Sequence, residues 1–329
     1  MRMTMRRVAW VSLVLIACLT FGSAPRGTAA PQRLYDGMVV FGASLSDSGN
    51  GFALLRDNST PPDYGADALR IPNAPYARGG HHLSNGPTWA EQFARSIQLP
   101  FSAKPAFVGN SRNATNYAVG SARAWDDGMN FNLSNQVNAF LADTNVMAPP
   151  GALYAIEMGG NDVRDALEAF SQAEDGLAIL QAAVLSIVQQ ISTLHAAGAR
   201  EFLVWNAPDV GLTPAVRALD AVTPGVAVFA SQLTEIFNAG LSDALSLLSL
   251  LPGIHLAQLD ANQLMHEIVA DPAAFGLTNA TSACITPGVP PFACTNPDEY
   301  LFWDGIHPTT AAHAILAQEA AAVLGIGGS

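Results

Sequence analysis

Three side chains in this sequence could together attack an ester carbonyl. Ser44 stands in the run Phe41-Gly42-Ala43-Ser44-Leu45-Ser46-Asp47-Ser48-Gly49-Asn50, directly after an apolar stretch. A serine hydroxyl is a weak nucleophile and needs a base beside it. His307, in Trp303-Asp304-Gly305-Ile306-His307-Pro308-Thr309, offers an imidazole of a type that titrates near physiological pH. Asp304, three residues earlier, can accept the imidazole Nδ1–H and stabilise the imidazolium. The chemistry of such a trio is acyl transfer, and its transition state needs hydrogen-bond donors for an oxyanion. Two further blocks carry candidates. Asn116-Tyr117-Ala118-Val119-Gly120-Ser121-Ala122 offers the amide of Gly120, where no side chain blocks the approach. Gly159-Gly160-Asn161-Asp162 offers the side-chain amide of Asn161, and the Ser44 N–H is a third donor. The serine run is not a G-x-S-x-G elbow, because Ser46 stands where the second glycine would be. A metal reading would combine Asp304, His307 and His313, but their spacing fits no familiar ligand set, so neither metal nor cofactor is expected. Asp47 and Asn50 are expected to brace the serine loop, and Asp162 to support Asn161.

Positioning these groups requires strands whose ends meet. Short apolar runs predict strands over Asp36–Ala43, Ala152–Met158, Glu201–Asn206 and Ile254–Leu259, with a weaker one over Ala114–Val119. Helical periodicity links Leu177, Leu180, Val184, Ile187, Val188, Ile191 and Leu194, with Gly198 as the stop. It recurs over Val226–Leu251, and a last helix is predicted after Pro308, capped by Thr309 and running to about Leu324. Strands separated by helices imply an α/β fold, a mainly parallel five-stranded sheet covered on both faces. Asp57–Asn85 and Pro287–Pro297 read as long loops.

Composition narrows the function. The chain has 329 residues, half of them apolar, and a formal charge of −12 with Lys104 its single lysine. That is enough apolar matter for a large core, and it lacks the basic stripe that nucleic acid requires. Arg2, Arg6 and Arg7 precede an apolar stretch, Val8–Leu19, too short to span a bilayer; Thr28-Ala29-Ala30 offers a cleavage site. Residues 1–30 are therefore expected to be an export signal and 31–329 a single domain. The alternative is a lipid anchor on Cys18, because Leu15-Ile16-Ala17-Cys18 is similar to a bacterial lipoprotein box. No later segment reads as a transmembrane helix, Leu241–Leu251 being short and interrupted by polar residues. After signal removal two cysteines remain, Cys284 and Cys294, and an even pair in an exported chain predicts one disulfide.

The four blocks, in this order and at predicted strand ends, resemble the SGNH/GDSL hydrolase superfamily, with Ser44, Gly120, Asn161 and His307 at its four naming positions. The resemblance covers nearly the whole chain after residue 30. Ser84-Asn85-Gly86-Pro87-Thr88-Trp89 and Asn206-Ala207-Pro208-Asp209-Val210-Gly211 are similar to segments of the branch holding secreted bacterial lysophospholipases, thermolabile haemolysins and plant GDSL esterases. The resemblance implies a flavodoxin-like three-layer α/β/α sandwich. It also implies a serine esterase or lipase that uses Ser44, His307 and Asp304, with the Ser44 N–H, Gly120 N–H and Asn161 Nδ2 on the oxyanion and no cofactor. The expected substrates are lipid, lysophospholipid or short-chain acyl esters. The alternatives are sugar-acetyl esters, acyl transfer to an alcohol, or a non-catalytic binding protein that has kept the fold. Two departures stand out. Ala43 replaces the aspartate of the GDSL motif, which implies altered support of the serine turn. The oxyanion glycine falls on Gly120, with Ser121 the neighbouring alternative. None of these features fixes the oligomeric state.

Overall fold

The computed structural model describes residues 34–55, 82–109, 113–285 and 293–326, which belong to one compact unit, Arg33–Ser329. The expected signal with Cys18, most of Asp57–Asn85 and much of Pro287–Pro297 lie outside the described residues.

Four apolar runs pair in parallel: β1 (Gly37–Gly42), β2 (Ala152–Glu157), β3 (Glu201–Trp205) and β4 (His255–Leu259), in the order β1-β2-β3-β4. Alternate side chains enter different cores. Val39, Phe41, Tyr154, Ile156, Phe202 and Val204 pack on one face; Met38, Val40, Leu153, Ala155, Leu203 and Trp205 pack on the other. The helices are α1 (Asn50–Leu55), α2 (Trp89–Ser96), α3 (Leu133–Asp143), α4 (Gly160–Ser171), α5 (Gly176–Ala197), α6 (Pro214–Asp220), α7 (Val226–Leu248), α8 (Ala261–Ala270) and α9 (Thr310–Val323). Apolar residues of α3, α4, α5 and α7 cover the first face, and those of α2 and α9 the second. This is the three-layer arrangement that a sheet apolar on both faces demands.

The expected fifth strand is a correction. Residues 114–119 run parallel along the free edge of β1, with Val40 N–H donating to the Thr115 carbonyl and Tyr117 N–H to that of Val40. The ladder is incomplete: Val119 N–H still donates to the Gly42 carbonyl at 3.1 Å, but the Gly42 N–H goes to Gln136 Oε1 at 2.9 Å instead of to the edge segment. With that donor captured by a side chain, residues 114–119 remain an extended edge segment with isolated bridges, and among the described residues the sheet has four strands.

The helix signals hold. Gly198, at φ +121°, ends α5, and Thr309 Oγ1 accepts from Ala312 N–H at the start of α9. By length and composition α5, rather than Leu241–Leu251, is apolar enough to cross a membrane. Its Leu180, Ala183, Ile187, Ile191 and Leu194 are buried in the core. A small parallel pair, β5 (Asn279–Ala283) and β6 (Tyr300–Phe302), was not expected. The chain from β5 continues to the Cys284–Cys294 disulfide, which is formed.

Candidate active site

The carboxyl ends of β1 and β2, with the end of the edge segment, meet at one rim. The chain leaves β1 for the edge segment on one side and continues to β2 on the other, the kind of switch point where sites form in open α/β sheets. Ser44 follows β1, Asn161 opens α4 after β2, and His307 comes from the turn between β6 and α9.

His307 Nε2 lies 3.0 Å from Ser44 Oγ, and His307 Nδ1 lies 2.6 Å from Asp304 Oδ2. Asp304 is buried and shapes the turn as well: its Oδ1 accepts the N–H groups of Ile306 and His307 at 2.9 and 2.7 Å. The Trp303 N–H donates to the His307 carbonyl. Ser84 and Asn85 hold the following residues, Ser84 Oγ donating to the Pro308 carbonyl and Asn85 Oδ1 accepting the Thr310 N–H. The Ser84–Trp89 block therefore clamps the residues that follow His307. Behind it, burial keeps His313 neutral, pushed down to about 3, with His307 and His82 as smaller causes. His82 pairs with Glu91 at 2.8 Å.

The serine turn hangs on a buried polar network. Asp47 accepts from the amides of Gly49, Asn50, Gly51 and Gly120. Asn50 Nδ2 donates to the carbonyls of Asn116 and Ala118, and Asn116 Nδ2 to that of Ser46. Asp47 and Asn50 thus brace the loop as their types suggested. Gln136, which bonds both polar groups of Gly42, was not singled out, although an amide on the apolar face of α3 was the available signal. Glu157 was also missed: it takes Ala43 N–H and Ser46 Oγ–H, and a carboxylate ending the apolar run Ala152–Glu157 was its signal.

The oxyanion donors come out unevenly. Among the described residues no acceptor takes the Ser44 N–H. Asn161 Nδ2 donates one hydrogen to the Ala122 carbonyl at 2.8 Å, which leaves its second free. Its oxygen accepts from Arg164, and the buried Asp162 below fixes the neighbouring loop through Ala124 and Trp125. Gly120 is a correction: its N–H points inward to Asp47 Oδ2 at 2.7 Å, because the buried carboxylate needs donors on every side. Ser121, the alternative, sits at φ +65°, a conformation costly for a residue with a side chain. Gly159, at φ +116°, precedes α4, where a Cβ would collide with the Phe237 ring. Only glycine lets the chain turn there and bring Asn161 to the rim.

Ser44, Asn161, Arg164 and His307 open onto an apolar pocket. Its wall includes Val210 from the loop after β3, Leu264, Met265 and Ile268 of α8, Leu301 and Phe302 of β6, and Leu316 of α9.

Burial pushes the Glu157 carboxyl up to about 7; its bonds to Ser46 and Ala43 oppose the shift, and nearby Asp162 adds to it. A folded value above the unfolded one means stability that is full below about pH 4.5 and lost as pH rises through 7. In Glu157→Gln that loss is absent. The melting temperature of the variant minus that of the wild type is therefore expected to rise by several degrees between pH 4.5 and 8. Thermal unfolding of both proteins at the two pH values checks this, and a difference independent of pH would contradict it.

The GDSL-like Lipase/Acylhydrolase family profile matches residues 38–320. One GDSL esterase/lipase of Arabidopsis thaliana is 26% identical over 92% of this chain and 90% of its own length, and another is 28% identical over 85% and 87%. Lipase 1 of Photorhabdus luminescens is 26% identical over 88% of this chain but only half of its own.

Proposed function

Because the chain belongs to the GDSL-like lipase/acylhydrolase family and is a carboxylic ester hydrolase, we propose that it cleaves esters of apolar acyl chains through a Ser44 acyl-enzyme. In this reading Ser44 Oγ attacks the ester carbonyl while His307 Nε2 takes its proton. Asp304 receives the Nδ1–H and stabilises the imidazolium. The Ser44 N–H and the second hydrogen of Asn161 Nδ2 hold the oxyanion. His307 then gives its proton to the leaving alkoxide. Water, deprotonated by the same imidazole, releases the acid and restores the serine.

The observation that carries the reading is the unbroken line Ser44–His307–Asp304, at 3.0 and 2.6 Å, opening on the pocket. The same line speaks against a binding-only protein. The pocket wall favours an acyl chain over an acetyl group, because each methylene buried there contributes about 0.8 kcal/mol, roughly a factor of four in kcat/KM. Both the expected export signal and the disulfide support action outside the cytoplasm.

Two measurements test this. An organophosphonate should add its mass to Ser44, and His307→Ala should abolish the labelling. On p-nitrophenyl esters, kcat/KM should climb steeply from acetate to octanoate. Met265→Trp should flatten that climb, cutting octanoate at least about tenfold and leaving acetate within about threefold. A preference for acetate would redirect the assignment to sugar-acetyl esters.

A further inference from the structure

Position 43 is alanine, so the turn that presents Ser44 has no acid at the place where the GDSL motif carries one. An acid nonetheless lies against that turn. Glu157 is the last residue of β2 and pairs with Gly42, the last residue of β1. Beyond this pair β2 swings away through Gly159, so no strand backbone continues the ladder to Ala43. The Glu157 side chain takes over: its Oε2 accepts the Ala43 N–H at 3.1 Å and the Ser46 Oγ–H at 2.9 Å. Ser46 Oγ in turn accepts the Trp89 indole N–H at 2.8 Å. Glu157, Ser46 and Trp89 are all buried, and a Cβ on Gly42 would stand 2.9 Å from Ser46 and 3.0 Å from Oε2.

We propose that Glu157 is a positioning residue for Ser44: from the neighbouring strand it ties down residues 43 and 46, and so sets the direction of the hydroxyl carried between them. Asp47 does a different task, gathering the amides beyond the turn, and has no bond to Ala43 N–H or Ser46 Oγ. The Ala43 N–H and Ser46 Oγ–H need an acceptor at Oε2, not a charge, and burial favours the neutral carboxyl. An amide oxygen can therefore stand in for Oε2.

The inference rests on Ser44 being the nucleophile. Glu157→Gln and Glu157→Met have similar length, but only the first offers an acceptor. Active sites are counted by organophosphonate titration and kinetics are measured on p-nitrophenyl octanoate. Glu157→Met should lose about 10²-fold in kcat with KM within about threefold, the cost of a nucleophile displaced by the order of an ångström. Glu157→Gln should restore kcat to within about threefold of wild type. Equal kcat in all three proteins, or equal loss in both variants, would overturn the proposal. A role in folding alone would lower the melting temperature of the Met variant and leave kcat per titrated site unchanged, which also overturns it. If the Met variant does not fold, Ser46→Ala carries the test, with kcat about tenfold down expected and unchanged kcat fatal. Failure of the nucleophile reading looks different: the wild type itself would not be labelled at Ser44.

Discussion

Ser44→Ala should lower ester turnover by about 10⁶-fold, the scale seen when the nucleophile of a serine triad is removed. The loss should be almost pure chemistry. Ser44 is half-buried, and its hydroxyl has one partner among the described residues, His307. The turn is held by Asp47, Asn116, Gln136 and Glu157, none of which bonds the Ser44 hydroxyl. The melting temperature should therefore move by no more than a few degrees. Steady-state hydrolysis of p-nitrophenyl octanoate beside thermal unfolding measures both. A folded variant that kept a hundredth of the wild-type kcat would remove Ser44 from the mechanism.

Asp304→Asn should cost about 10⁴-fold in kcat with substrate affinity little changed. The carboxylate has two separate tasks here. Oδ1 closes the turn by accepting the amides of Ile306 and His307, and the asparagine oxygen can do the same. Oδ2 accepts the His307 Nδ1–H at 2.6 Å, and there the substitution places an NH₂. A donor facing Nδ1 forces the proton onto Nε2, which then points N–H at Ser44 Oγ and cannot act as base. The turn survives while the tautomer is wrong. Kinetics together with ¹⁵N shifts of the His307 ring would check this, and full turnover in a variant protonated at Nε2 would refute it.

Much of this site was legible because its side chains sit in short contiguous blocks at strand ends. Ser44, Asn161, Asp304 and His307 each follow an apolar run or a turn signal, and all four meet at one rim. What escaped was long-range partnership. Nothing local tells which way the Gly120 amide points; that depends on Asp47, 73 residues away and buried at its side. Gln136 reaches Gly42 across 94 residues and takes the N–H that a regular fifth strand would have used, though the apolar pattern of residues 114–119 reads as a strand. Glu157 is 111 residues from Ser46, so its task shows only once β1 and β2 lie side by side. β5 is polar and β6 is only three residues long, so neither carries a periodicity to betray it.

Ser44 and His307 stand 263 residues apart along the chain. A ribosome adds residues at about 5–20 per second, so in the proposed mechanism the attacking oxygen is made well before the nitrogen that activates it. Any fragment ending before residue 307 contains the serine without its imidazole. On that mechanism hydrolysis would appear only after the segment carrying His307 has been made, and it would report that this segment has docked. A fluorogenic ester could time that docking directly.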